Sequence, residues 1–136
     1  MKSADGVIYF ISDGTNIKIG QTVRLAVRFA ELQTGNPHEL TVVKTMRFKR
    51  DELNLYEKVL HNLFSQYRLR KNSEWFFYHP EIRDYIKTLT NRNIRFMYSH
   101  FGNPKTDDVR NEWMKYGNKI IANRCYVSKK EDDANG

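Results

Sequence analysis

The sequence predicts an α+β fold, a small antiparallel sheet of about three strands flanked by helices. Three observations carry that expectation. Val7 to Ile11 is a β-branched and aromatic run that reaches a turn sequence, Asp13-Gly14-Thr15-Asn16, and resumes at Ile17, which reads as a hairpin. Apolar residues then recur at helical spacing in two stretches, 23–33 and 51–67. The chain has 136 residues, the size of one domain able to bury a single core.

The elements follow in order. Residues 7–11 and 17–20 are the hairpin strands. Thr22 is placed to cap a helix over 23–33, whose stripe is Leu25, Phe29 and Leu32, and Gly35 with Pro37 stops it. Residues 39–48 alternate Leu40, Val42, Met46 and Phe48 with Thr41, Val43, Thr45 and Arg47, a third strand. The second helix, 51–67, sets Leu53, Tyr56, Leu60, Leu63, Phe64 and Tyr67 on one side. Glu74 to Tyr78 fits a short strand or a packed loop. Pro80 opens a short helix through Tyr85, Ile86 and Leu89. The resulting order, ββαβαα, occupies an expected first domain, 1–90.

Asn91-Arg92-Asn93 reads as the boundary to a C-terminal extension, 91–136. There 94–97 resembles a brief strand. A helix is expected over about 106–122, with Asp107 and Asp108 in its positive first turn and Val109, Trp113, Tyr116 and Ile120 as its stripe. The polar stretch 128–136 is expected to be disordered.

Composition narrows the function classes. Net charge is +7 and is spread along the chain: 14 Lys/Arg against 10 Asp/Glu in 1–90, then 9 against 6 in 91–136. Such a surface suits a polyanion, because neutralised phosphates release counterions, although it also serves plain solubility. Cys125 is the only cysteine, so neither an internal disulfide nor a thiolate zinc site is available. No apolar run approaches a membrane span and the N-terminus lacks a signal-peptide core, so a cytoplasmic protein with no membrane partner is expected.

Four residues stand out chemically. A hairpin loop centred between Gly14 and Thr15 sets Tyr9 opposite Gly20 and Ile11 opposite Lys18, so Tyr9 and Lys18 share a face as diagonal neighbours. Lys18 lies between two isoleucines: it is either a lysine on a solvated face, which the pattern favours, or a buried ammonium that needs a partner. Tyr9 alone reads as a core residue. Arg28 follows Arg24 by one turn, which suggests a shared anionic ligand, while Glu31 offers Arg28 a local salt bridge. Glu57 borders the buried stripe, where a carboxylate is either a cation ligand or a routine helix-edge residue, and His61 lies one turn further on.

The order and spacing of these residues resemble the GIY-YIG nucleases, in the phage and bacterial branch that carries KIG as its second motif. Val7-Ile8-Tyr9, Lys18-Ile19-Gly20, Thr22, Arg28, Leu32 to Pro37, Glu57, His61, Phe64 and Glu74-Trp75-Phe76 carry the likeness, over about residues 6–80. Val7 departs from the first motif's glycine and Lys18 from the second motif's tyrosine. The resemblance implies a DNA endonuclease that hydrolyses phosphodiesters with one Mg²⁺ or Mn²⁺ per site. It casts Glu57 as the metal ligand, Arg28 as the stabiliser of phosphoryl charge and Tyr9 as general base or orienter of water. Lys18 would tune Tyr9 or that water, and His61 is auxiliary. A non-cleaving nucleic-acid-binding module is the alternative. Arg24, Arg110, Lys115 and Lys119 are candidate DNA contacts, although Trp113, Tyr116 and Ile120 equally suit packing of their helix. Double-strand cutting would call for a homodimer or successive nicks, and a phage-encoded chain would work in the bacterial host's cytoplasm.

Overall fold

The computed structural model describes residues 5–135, with side chains through residue 123. The hairpin forms as its turn sequence dictates: β1 (Gly6–Ser12) pairs antiparallel with β2 (Asn16–Thr22), Tyr9 opposite Gly20 and Ile11 opposite Lys18. Gly14 takes a positive φ of 102°, and the Asp13 carboxylate accepts from the backbone of Thr15 and Asn16. The sheet has four strands where about three were expected, in the order β3-β1-β2-β4. Strand β3 (Thr41–Phe48) adds to β1, with a register shift at Phe10/Ile11. Strand β4 (Trp75–Phe77) adds to β2, which resolves the aromatic run as a strand.

Helix α1 (Leu25–Thr34) lies on the sheet face that carries Tyr9 and Ile11, where Leu25, Phe29 and Leu32 pack with Leu40 and Trp75. Its N-cap is Arg24, with no side-chain cap; Thr22 instead accepts from the Arg24 backbone. Helix α2 (Leu53–Leu63) serves the opposite face. Its Leu53 packs directly on Gly6, at a point where any β-carbon would overlap it, and Phe10 meets Phe64 edge-to-face just beyond the helix. The two helices therefore sandwich the hairpin, and residues alternating along β2 report to different helices.

The chain divides into two compact units, Met1–His79 and Pro80–Gly136. The second comprises α3 (Pro80–Thr88), α4 (Asn91–Phe101) and α5 (Asp107–Asn135). The expected strand at 94–97 is part of α4. Thr90 and Asn93 form a reciprocal capping box there, and Ile94 and Met97, one turn apart, are both buried. Residues 91–93 form the first turn of α4. Trp113 is buried and donates to the Gly102 carbonyl, and Tyr85 donates to the Trp113 carbonyl across Gly117, where no β-carbon would fit. Helix α5 runs on to Asn135, through the stretch 128–135 expected to be disordered; Gly136 lies outside the described residues.

Candidate active site

Strand β4 pairs with β2 only over Asn16–Lys18, so the outer edge of β2 beyond Lys18 carries no strand. The candidate residues gather about that edge from both faces. On the α1 face, Tyr9 is 1% exposed and lies across Gly20, where a β-carbon would overlap its ring and hydroxyl. The glycine of the second motif is therefore required by the tyrosine of the first. Arg28 donates to Glu31 Oε2 at 3.1 Å, the local salt bridge that the sequence offered, and its guanidinium lies beside the Tyr9 hydroxyl. Burial pushes the Tyr9 phenol above its ordinary pKa; Arg28 opposes the rise, and the carboxylates of Glu74 and Glu57 add to it.

Lys18 is 7% exposed, not on a solvated face. Its ammonium donates to Glu74 Oε2 at 2.6 Å and sits 5.8 Å from the centre of the Trp75 ring. The partner that burial demands comes from the Glu74-Trp75-Phe76 run, brought alongside by the β2–β4 ladder.

On the α2 face, Glu57 is 9% exposed. Its Oε2 accepts from the side-chain amide of Gln21 at 2.6 Å, and the same nitrogen donates to Asn54 Oδ1 at 2.6 Å. A carboxylate only accepts, so this contact fixes which end of the Gln21 amide faces it. His61 lies 3.7 Å from Glu57 Oε1, with its Nε2 at 2.8 Å from the Ile19 carbonyl and its Nδ1 at 3.2 Å from the Arg68 guanidinium. A carbonyl accepts and a guanidinium donates, so the network places the His61 proton on Nε2 and occupies both ring nitrogens. His61 thereby ties α2 to the backbone of β2 just past its last pairing with β4. Gln21, Asn54 and Arg68 were not singled out in the sequence. Strand alternation puts Gln21 on the face of Ile19, and Asn54 lies one turn before Glu57, but neither signal is chemical by itself.

The structure thus joins Tyr9 to Arg28, Lys18 to Glu74, and Glu57 to Gln21 and His61. Tyr9 lies within electrostatic reach of Glu57 without a direct bond to it among those given above. Arg24 is exposed near the start of α1. In the second unit, Arg110 is engaged by the Pro104 carbonyl at 3.1 Å and Asp107 at 2.7 Å, Lys115 lies 3.8 Å from Glu112, and Lys119 is exposed.

The T5orf172 domain model matches residues 6–92, a span that holds every one of the residues about the β2 edge. The chain belongs to the T5orf172 domain family. This is a phage-associated domain related to nuclease-like folds, compatible with a nucleic-acid-related function. No curated protein and no solved structure matches the chain. Among the described residues of this T5orf172 domain, no three His, Cys, Asp or Glu side chains form a metal cage, and no helix is long and apolar enough to cross a membrane. A hard dication that keeps most of its waters needs only one or two protein oxygens. Glu57, with one hydrogen bond at Oε2 and unused lone pairs, fits that demand.

Proposed function

We propose that this T5orf172 chain is a divalent-metal-dependent endonuclease that hydrolyses DNA phosphodiester bonds at a single-metal site of the GIY-YIG type. The observation that supports this best is the Arg28–Tyr9 pair set within electrostatic reach of a buried carboxylate, Glu57. A module that only grips phosphates gains nothing from a buried carboxylate, which repels them. A hydrolase gains a seat for a cation.

Glu57 would hold Mg²⁺ or Mn²⁺, which would supply Lewis-acid polarisation of the scissile phosphate. Arg28, always charged and lying beside the Tyr9 hydroxyl, stabilises the charge that develops on the non-bridging oxygens. Tyr9 is kept as a phenol by burial, which suits it to orienting the attacking water more than to removing its proton. Lys18, committed to Glu74, acts as a fixed cation beside Tyr9 and not as a free amine base. Each chain has one such set, so a double-strand cut takes two chains or two successive nicks. The bacterial host's cytoplasm is the proposed setting.

Supercoiled plasmid is the direct test. The chain should nick or linearise it with Mg²⁺ or Mn²⁺, EDTA should stop the reaction, and Glu57→Ala and Arg28→Ala should each abolish it while circular dichroism stays unchanged. DNA binding with a steep salt dependence, and no cutting in any divalent metal, would instead establish the non-cleaving module.

A further inference from the structure

The second observation at Glu57 concerns what lies beside it. Asn54 Oδ1 and Glu57 Oε2, one turn apart on α2, both lie 2.6 Å from one atom, the side-chain nitrogen of Gln21. An amide –NH₂ carries two partly positive hydrogens and here spends both on oxygens of the same helix. The arrangement is that of two oxygen ligands converging on a point of positive charge. Oxygen distances to Ca²⁺ are about 2.3–2.6 Å and to Mg²⁺ about 2.0–2.1 Å, so the two oxygens would draw in by about 0.5 Å to meet Mg²⁺.

The direction of approach is also set. On its Oε1 side Glu57 faces His61 at 3.7 Å, whose Nε2 proton is already given to the Ile19 carbonyl at 2.8 Å, so that side is walled by protein. On its Oε2 side the neighbour is Asn54, which is exposed to solvent. The exposed Asn54 side offers a hydrated cation a way to the carboxylate, and the Gln21 amide stands there.

We propose that Asn54 is a second protein ligand of the divalent cation, and that the Gln21 amide holds the cation's place and swings aside when it binds. The inference rests on the metal-dependent reading of Glu57 given above. Water and oxygens of the substrate phosphate would supply the cation's other ligands. Gln21 is then a competitor of the cation, which distinguishes it from a residue that merely steadies Glu57.

Mn²⁺ uptake by the full chain without DNA, read from the loss of the free-ion electron paramagnetic resonance signal, tests this independently of cutting. Wild type should take up one Mn²⁺ and Glu57→Gln none. Asn54→Ala should weaken binding at least about ten-fold, and Asn54→Asp should restore or strengthen it. Gln21→Met, which keeps the bulk and removes the donor, should bind as tightly as wild type or more so. Melting curves of all variants establish that each is folded. If Asn54→Ala binds like wild type, Asn54 is not a ligand. If Gln21→Met weakens binding as far as Asn54→Ala does, Gln21 steadies the site and is not a place-holder. Either result overturns the proposal while leaving Glu57 as a metal residue. If wild type takes up no Mn²⁺ at millimolar concentration, the metal-dependent function falls, and this proposal with it.

Discussion

Breaking the Lys18–Glu74 pair from its two ends should give unequal results. Glu74→Gln leaves an ammonium whose side chain is 9% exposed facing a neutral amide, whereas Lys18→Met removes the charge and keeps an unbranched apolar chain beside Trp75. Losing one partner of a fully buried pair costs about 3–5 kcal/mol. The Glu74 side chain is 44% exposed, so water screens part of that interaction, and Gln still offers Lys18 an acceptor. We therefore expect Glu74→Gln to cost about 1–2 kcal/mol. Lys18→Met should change stability by less than about 1 kcal/mol, because desolvation of the ammonium is relieved as the pair is lost. In the Lys18→Met background the cost of Glu74→Gln should nearly vanish, a coupling of about 1–2 kcal/mol in the double-mutant cycle. Urea unfolding followed by circular dichroism measures all four proteins. Equal destabilisation by the two single substitutions, or a Glu74→Gln cost that persists without Lys18, would refute the account of a buried cation held by a half-exposed anion. Plasmid cutting adds the functional arm: Lys18→Met should lose activity while remaining folded.

Three further outcomes are expected. Gly20→Ala should destabilise the protein by about 1–3 kcal/mol, because its β-carbon displaces the Tyr9 phenol, and cutting should fall with it; an unchanged melting temperature would show that the contact is soft. Tyr9 and Tyr85 both have pKa values raised by burial above the ordinary 10.0. The un-ionised phenols thus contribute stability that is fully present below about pH 10 and is lost as pH climbs toward their folded-state values. The urea midpoint should fall steeply above pH 10, less steeply in Tyr85→Phe, and a flat profile would contradict the burial argument. Arg110→Ala should lower the melting temperature yet leave the salt slope of DNA binding unchanged, since Arg110 is held by Pro104 and Asp107, while Lys119→Ala should reduce that slope by about 1. The reverse pattern would assign the grip to Arg110.

What the sequence made legible was local. Asp13-Gly14-Thr15-Asn16 fixes the hairpin register, and with it the shared face of Tyr9 and Lys18, because turn chemistry is written in adjacent residues. The environment of Lys18 was not legible. Its partner lies 56 residues away, and the fourth strand that delivers Glu74 is only three residues long. Without that strand, a lysine flanked by isoleucines looks like one on a wet face. The misreading of 94–97 has a different cause. Ile-Arg-Phe-Met alternates like a strand, and the polar residues before it look like a break, yet Thr90 and Asn93 are spaced as a reciprocal cap and Ile94 and Met97 as a helical stripe. Four residues cannot separate the two periods, and the cap decides.

The charges about the β2 edge do not balance evenly, and the imbalance has a location. Lys18 faces Glu74, and Arg28 faces Glu31. Glu57 is held instead by a neutral amide at one oxygen, with His61 at 3.7 Å from the other and its Nε2 proton directed at the Ile19 carbonyl. The cationic partners that Glu74 and Glu31 have thus find no Lys or Arg counterpart at Glu57 among the ion pairs of the described residues, although the chain as a whole carries +7. A basic surface attracts phosphates over a Debye length of about 10 Å. A dication at Glu57 would then let those phosphates approach a carboxylate that would otherwise turn them away. Binding of the cation and of DNA should therefore be mutually reinforcing, so that Mg²⁺ tightens DNA binding to wild type and has no such effect on Glu57→Gln. Equal tightening of both proteins would place the cation elsewhere.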